Sequence, residues 1–476
     1  MADLRYRTPA GRGVLLAAVL GSGIAFLDAT VVNVALPAID ADLGAGLSGL
    51  QWVVDAYLLT LSAFLLLGGS LGDLYGRRRV FVAGLVGFGL ASIACGVAPT
   101  TATLIVARAL QGLAAALLVP GSLAMISASF AEEDRSEVIG AWAGLTGVAS
   151  AVGPLLGGWL VDAVSWRLVF LINPPIAAIA VVVALRRVPE TRDDTAGRRV
   201  DLPGALVAAL GLGGITAALI EGPVRGWGDA MVATAAVVGA VALVAFVVVE
   251  ARTADPMLPL AVFRSRQFSG ANVTTFAVYA ALGGALFLVV LELQTVLGYS
   301  PLAAGAALLP ITVLLLLLSP SAGRLADRIG PRWPMTVGPV VAAAGLGLLA
   351  GVGPGSTYLT GVLPGVVVFG LGLSLTVTPL TSAALAAVER RHAGIASGVN
   401  NAVARVAGLL AVALLPVVSG LAAQGLDPES FTAGYRRALW LAAALCAAGG
   451  LVAAAMISDA PTRAARAVQQ GPAPPA

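Results

Sequence analysis

Gly69-Ser70-Leu71-Gly72-Asp73-Leu74-Tyr75-Gly76-Arg77-Arg78-Arg79 decides the architecture, because the chain carries it twice. Gly69, Leu71, Asp73, Gly76 and Arg78 return as Gly323, Leu325, Asp327, Gly330 and Arg332, each 254 residues further on. Each copy sits in a polar break after the second apolar stretch of a set of six. Matches at one constant offset mean two homologous halves. Six membrane spans need fewer residues than this offset, so something is inserted between the halves.

The rest of the chain agrees. It has 476 residues, 58% hydrophobic and 11% charged, against about 25% charged in a soluble domain. Its mean hydropathy is +0.94. Fourteen apolar stretches are long enough to span a bilayer, near 13–37, 50–72, 80–98, 101–125, 137–162, 166–186, 203–222, 230–250, 270–297, 303–325, 335–352, 359–382, 395–423 and 437–458. Backbone groups in lipid must be satisfied internally, so these are expected to be helices. The predicted fold class is an all-α membrane protein of two six-helix halves plus two additional linker helices, 14 transmembrane helices in all. The expected units are 1–190 for the first half, 191–265 for the linker with its two extra spans, 266–460 for the second half, and 461–476 as a disordered cytoplasmic tail. The two linker spans read as a peripheral hairpin without an acid at membrane depth. The first apolar run has no clear cleavage site, so no removable signal is expected.

All 28 basic residues are Arg. They crowd the N-terminus (Arg5, Arg7, Arg12), the segment after the last span (Arg463, Arg466) and alternate loops, including Arg77–Arg79, Arg135, the run between 186 and 199, Arg264, Arg266, Arg324, Arg328, Arg390 and Arg391. The opposite loops hold only Arg167, Arg225, Arg436 and Arg437. By the positive-inside rule both termini are expected in the cytoplasm. The net charge of +3 is this loop bias rather than a nucleic-acid footprint. Without Lys there is no Walker P-loop and no Schiff base. One His, His392, cannot build a multi-His metal site. Cys95 and Cys446 lie far apart in apolar runs and read as small buried hydrophobes.

The intramembrane polar residues are the functional candidates. Asp28, in Leu27-Asp28-Ala29-Thr30-Val31-Val32-Asn33-Val34-Ala35-Leu36-Pro37, costs about 2.5–3.5 kcal/mol at the centre of a membrane helix. Arg108, in Arg108-Ala109-Leu110-Gln111-Gly112, cannot shed its charge, and Asp28 is its natural partner; snorkelling to an interface is the alternative. Asp28, Arg108 and Glu292 are the proton-coupling candidates. Asp55, Glu292, Gln294 and Asn33 are the candidates for substrate binding. Asn400, Asn401 and Arg405 read equally well as glue between helices. Asp73, Arg77 and Arg78, with Asp327 and Arg332 in the second copy, read as gate latches at helix ends, against ordinary topology signals. Gly153 and Pro154 read as a hinge or seal between the halves. Gly140–Gly144 and Gly153–Gly157 are small-xxx-small pairs that allow close helix contact.

These motifs resemble a known family. The Asp73/Arg77 loop and its second copy are similar to the loop signature of the major facilitator superfamily. Arg108–Gly112, with Gly153-Pro154-Leu155-Leu156-Gly157-Gly158, resembles motifs of its drug:proton antiporters. Leu27–Pro37, Trp166–Pro175 and Gln294–Ser300 resemble signatures of the fourteen-span drug:proton antiporters, which include multidrug and quaternary ammonium compound exporters. The resemblance implies the major facilitator fold and export of amphipathic, often cationic, drugs against inward proton flow. It links Asp28 to proton coupling and Asp55 to cationic substrates. Three positions depart from the pattern: Ala149 replaces an expected glycine, Glu292 an apolar or aromatic residue, and Arg405 stands in a span where some cation exporters carry acids.

The expected function is proton-coupled export of amphipathic, cationic compounds by alternating access across a bacterial cytoplasmic membrane. The expected partners are the substrate, protons and lipid, with no nucleic acid, no metal, and no cofactor beyond the proton gradient; a monomer is expected. The alternative is a dedicated exporter of one secondary metabolite, which suits an Ala-, Gly- and Arg-rich, Lys-free chain from a GC-rich bacterium. Lipid or sugar transport ranks lower. A membrane sensor or intramembrane enzyme is the other class; no sensory domain and no nucleophile–base pair point to it.

Overall fold

The computed structural model describes residues 4–192, 200–253, 255–388, 393–423 and 428–459. The expected tail, His392, Arg390, Arg391 and the 193–199 part of the polar linker lie outside them. Fourteen helices follow in order: α1 Pro9–Leu43, α2 Gly46–Tyr75, α3 Arg77–Gly96, α4 Thr101–Ser129, α5 Glu132–Ala163, α6 Leu168–Arg187, α7 Leu202–Arg225, α8 Ala230–Arg252, α9 Arg266–Val296, α10 Pro301–Ile329, α11 Arg332–Leu349, then α12 Tyr358–Ala386, α13 Gly394–Val418 and α14 Ser430–Met456. Thirteen are long and apolar enough to cross a membrane. The exception is α11, at the eleventh expected span, whose 18 residues begin with Arg332-Trp333-Pro334.

The helix starts follow local chemistry. Thr8 caps α1 by accepting from Gly11 N at 3.1 Å, with Pro9 next. Thr100 and Thr103 form a capping box on α4. Asp201, Asp229 and Ser265 cap α7, α8 and α9. Each satisfies a backbone donor that the helix leaves free. α6 breaks at Ile172, where Pro174 and Pro175 withhold backbone donors.

Packing repeats as the sequence does. In the first half α1 contacts α4, α5 and α6, α4 contacts α2 and α3, and α3 contacts α6. The second half repeats every pair: α9 with α12, α13 and α14, α12 with α10 and α11, and α11 with α14. The halves meet along α2–α13 and α5–α10, pairs that the repeat also relates, and where α1 touches α9. On the face away from the termini one apolar core runs through both halves, from Leu36, Leu50 and Phe170 to Leu291, Leu308, Leu346 and Tyr435. Towards the face of the termini it divides into clusters whose buried residues each come from one half, around Phe81, Phe88 and Tyr57 in the first, where Ala402 of the second half also packs, and around Met335 and Phe268 in the second.

α5 shows the same division within one helix. Gly158 packs on Pro301 and Leu302, and Gly305 on the Pro154 carbonyl. Gly157 lies against Val31, and Gly153 against Thr30 and Leu27. Pro154 stays within a continuous helix and faces α10, so Gly153-Pro154 stands where α1, α5 and α10 converge. Gly140, Gly144 and Gly147 face open space. The expectation of a close contact at Gly140–Gly144 therefore fails, because no helix approaches the face of α5 that bears these glycines, while the opposite face packs Trp142 on Ser22 of α1. Ala149 packs its methyl towards Gly23, so the small residue sits on the facing helix instead.

The linker helices differ from expectation. α7 packs on both α2 and α13, covering the seam between the halves, and only α8 is outermost. Trp52 Nε1 of α2 donates to Glu221 Oε1 of α7 at 3.0 Å. Both linker helices also carry an acid in their final turns, Glu221 and Glu250. A β-carbon on Gly158 would stand 2.5 Å from Leu302 Cα and 2.6 Å from the Pro301 carbonyl oxygen. Gly158→Leu is expected to lower stability by about 1–3 kcal/mol, an overpacking cost, whereas Gly144→Leu is expected to leave it unchanged; thermal unfolding in detergent compares the two.

Candidate functional site

The first half is built around a buried ion pair. Arg108 Nη1 of α4 lies 2.5 Å from Asp28 Oδ2 of α1. Gln111 Nε2, one turn along α4, donates to Asp28 Oδ1 at 2.8 Å. Asn173 Nδ2, freed at the break in α6, donates to the same oxygen at 3.0 Å. Arg108 also donates through Nε to the Val53 carbonyl at 3.0 Å and through Nη1 to Gln111 Oε1 at 2.6 Å. Gln111 Nε2 reaches Ser92 Oγ of α3 at 2.8 Å, and the Cys95 thiol donates to Gln111 Oε1 at 3.6 Å. The guanidinium carbon stands 4.4 Å from the centre of the Tyr57 ring and 5.7 Å from that of Phe170, within range of cation–π attraction. Asp28 is wholly buried and Arg108 1% exposed, so Arg108 does not snorkel. A carboxylate with three donors and a guanidinium with three acceptors is a satisfied network, as a buried charge requires.

Asp55 is the opposite case. It is also wholly buried, yet neither carboxylate oxygen has a hydrogen-bond partner among the described residues. Its α2 neighbours place it on the seam between the halves: Gln51 Nε2 donates to the Val412 carbonyl of α13 at 2.7 Å, and Leu58 approaches Gly408 of α13. Glu292 lies between these extremes. It opens a π-helical turn, Glu292–Val296, at the end of α9; such turns occur often at functional sites. Its Oε1 accepts from Thr432 Oγ1 of α14 at 3.0 Å, while its buried Oε2 has no hydrogen-bond partner among the described residues.

The structure brings some candidates together and separates others. Gln294 Nε2 crosses between the halves to the Val34 carbonyl at 3.0 Å, beside Asn33, whose amide turns back to its own helix at Ala29 O. Glu292 is bonded within the second half and Asp28 within the first, so the acids do not form one cluster. Asn400 is a structural bond: its Nδ2 donates to Asn272 and Thr275 of α9 at 3.2 and 2.7 Å. Asn401 bonds Ser397 O on its own helix. Arg405 lies 5.4 Å from the centre of the Phe26 ring.

At the repeated loops, Gly76 and Gly330 both end helices at positive φ, 107° and 95°, which glycine adopts at little cost. Asp73 pairs with Arg77 in its own turn, 2.7 Å from Nη2. The second copy has Pro331 at the corresponding position, so that pair is not repeated. Arg78 N donates to Glu190 Oε1 and Arg78 Nη1 to the Val188 carbonyl, both at 3.1 Å. Arg332 N donates to Asp459 Oδ1 at 3.1 Å, and Arg332 Nε to the Ala454 carbonyl at 3.0 Å. Each loop is thus tied to the segment after the sixth helix of its own half. Sequence reasoning missed Glu190, Asp459, Ser92, Tyr57 and Thr432 as members of these sites. Asn173 stood in a quoted motif, but without a role.

The ion pair sets an expectation for stability. Arg108→Ala leaves a buried carboxylate uncompensated, a change that costs about 3–5 kcal/mol. Asp28→Asn combined with Arg108→Gln is expected to cost less than the sum of the two single changes, because the partners interact; thermal unfolding of the four proteins checks this.

The sequence profile described as Major Facilitator Superfamily matches residues 18–412. The chain is 39% identical over 402 residues to "Multidrug resistance protein Stp" of Mycobacterium tuberculosis, covering 84% of this chain and 74% of that one. It is 40% identical over 413 residues to "Puromycin resistance protein pur8" of Streptomyces alboniger, covering 86% and 81%. It is 35% identical over 408 residues to "Tetracenomycin C resistance and export protein" of Streptomyces glaucescens, covering 85% and 75%. Among solved structures, a POT family transporter in complex with a thioalcohol-conjugated peptide superposes with a TM-score of 0.71 at 14% identity, covering 95% and 97% of the two chains. The xylose transporter XylE from E. coli superposes with a TM-score of 0.61 at 15% identity, covering 92% and 97%. Those two share the fold. With the repeated halves, the membrane-length helices and these relatives together, the chain belongs to the major facilitator superfamily and is a multi-pass membrane transporter rather than an enzyme.

Proposed function

We propose that the protein is a proton-coupled antiporter that exports amphipathic, cationic compounds across the bacterial cytoplasmic membrane. The observation that carries this reading is the contrast among three buried acids. Asp28 is fully neutralised by Arg108 and amide donors, whereas Asp55 and Glu292 keep unpartnered oxygens. The names of the relatives support drug efflux, and the Arg-rich alternate loops support cytoplasmic termini. The protein works as a monomer with no cofactor but the proton gradient. The moving bodies are 1–190 and 266–460, with 191–265 bridging them. The open glycine face of α5 and the divided core on the face of the termini support an inward-facing conformation.

In this mechanism Arg108 cannot lose its proton. A proton arriving at Asp28 therefore competes with the guanidinium for Oδ2. Binding it leaves Arg108 on Val53 and Gln111 and weakens the tie between α1 and α4. A substrate cation at Asp55 compensates a carboxylate that has no hydrogen-bond partner among the described residues. Glu292 supplies the matching acid in the second half, and Gln294 and Asn33 line the passage between α1 and α9. The repeated loops, with Asp73, Arg77 and Arg78 in one and Asp327 and Arg332 in the other, latch the cytoplasmic ends. The halves rock about the Gly153–Pro154 contact, as alternating access requires. The membrane potential contributes about 2.3 kcal/mol per charge per 100 mV, so exporting a monovalent cation exploits it only if more than one proton enters.

Asp28→Asn is expected to abolish drug/proton exchange in proteoliposomes while the protein remains inserted; exchange at the wild-type rate would remove Asp28 from coupling. Asp55→Asn is expected to weaken export of dications more than that of monocations, and equal losses would end its role in charge recognition. A second reading, a dedicated exporter of one metabolite, is supported by the relatives named for resistance to single antibiotics. Proton-gradient collapse on adding each member of a compound panel separates the two: many active compounds support the broad exporter, and a single one supports the dedicated exporter.

A further inference from the structure

A second pair of acids stands away from the central seam, where the linker helices join the second half. Asp201 caps α7: its Oδ1 accepts from Gly204 N at 2.9 Å and its Oδ2 from Met257 N at 3.4 Å. Glu250, in the last turn of α8, accepts from Leu258 N through Oε2 at 2.8 Å. Glu250 is 3% exposed and Asp201 8% exposed. Glu250 Oε1 is buried and has no hydrogen-bond partner among the described residues. Asp201 Oδ2 and Glu250 Oε1 each stand 2.7 Å from the point that a β-carbon on Gly204 would occupy. The glycine thus opens the space in which the two oxygens converge.

No guanidinium pairs with either acid among the described residues. The other charged groups among the described residues of the segments packed here, Arg252, Asp255, Arg264 and Arg266, are exposed. Two carboxylates in contact, out of water and without a counter-ion among the described residues, do not both stay ionised. A metal ion is a poor fit. Calcium takes six to eight oxygens, whereas this site brings two together, one of which already accepts from Met257 N, and the backbone turned towards it presents N–H donors, which repel cations. A proton needs only two oxygens.

We propose that Asp201 and Glu250 hold one proton between Oδ2 and Oε1, forming a proton-binding site outside the transport path. The site joins the start of α7, the end of α8 and the Met257–Leu258 lead into α9. Losing the proton places two like charges at that joint, so the attachment of the linker to the second half follows the pH at the face of the termini. The site does not depend on what is transported or in which direction.

Infrared difference spectroscopy of the full-length protein in lipid nanodiscs, recorded across a pH titration in an Asp28→Asn, Asp55→Asn, Glu292→Gln background, tests the site directly. That parent protein is expected to show a protonated-carboxyl band that shifts in D2O and disappears at high pH. Glu250→Gln and Asp201→Asn are each expected to lose that band entirely, since either amide can donate to the remaining acid and keep it ionised. Both replacements preserve size, and an Asp201→Asn side-chain oxygen can still cap Gly204, so the fold is expected to persist, as checked by thermal unfolding. A band that survives Asp201→Asn would mean that Glu250 is protonated by burial alone and would overturn the shared site. Loss of the band on adding calcium or magnesium at fixed pH would replace the proton with a metal ion and overturn the proposal.

Discussion

The Asp28–Arg108 ion pair is the constraint from which the first half takes its shape. A guanidinium that stays charged and a carboxylate have both been taken to membrane depth, where each charge costs about 2.5–3.5 kcal/mol. The pair alone leaves lone pairs and N–H groups unsatisfied, so the surrounding helices must supply the remainder. α2 provides the Val53 carbonyl and the Tyr57 ring, α3 provides Ser92, α4 provides Gln111, and α6 provides Asn173. Moving any of these helices breaks a buried polar contact. The network therefore locks five helices into one body, which is what a rigid half of a rocking transporter needs.

The second half repeats this plan with less polarity. Its buried acid, Glu292, also lies on the first helix of the half and also takes a bond from the sixth, through Thr432. No guanidinium pairs with it among the described residues, and one of its oxygens is unpartnered. The apolar contacts around α9 are correspondingly extensive, from Phe287 to Leu293. Duplication thus preserved helix order and packing while the charge chemistry diverged. The loops show the same divergence: the glycine turns and the acid behind each are kept, Glu190 in one half and Asp459 in the other, while the Asp73–Arg77 pair occurs in the first copy.

The contacts between the halves have a different character. They use small residues and backbone: Gly158 on Leu302, Gly305 on the Pro154 carbonyl, Gln294 on the Val34 carbonyl and Gln51 on the Val412 carbonyl. Such contacts separate at lower cost than a buried ion pair does. The strongest polar bonds thus lie inside the halves and the more easily parted ones between them, which is the division that alternating access exploits.

Much of this was legible in the sequence. Hydropathy located the helices, since lipid leaves the backbone few alternatives. The constant offset between Asp73 and Asp327 revealed the two halves, and the depth of Asp28 and Arg108 marked them as partners. The sequence misjudged Gly140–Gly144, because a small residue permits a close approach without supplying a neighbour. It also understated α7, whose apolar surface reads the same whether it faces lipid or the α2–α13 seam. By itself the sequence determined the order of the helices, the duplication, and which charges lie within apolar stretches, because these depend on local composition and spacing. Only the tertiary structure decided that Asp28 is held by residues 80, 83 and 145 positions away, that Asp55 has no hydrogen-bond partner among the described residues, and that Asp201 meets Glu250 over Gly204. Those contacts depend on how helices rotate and dock against one another, and no periodicity along a single helix records the identity of its neighbour.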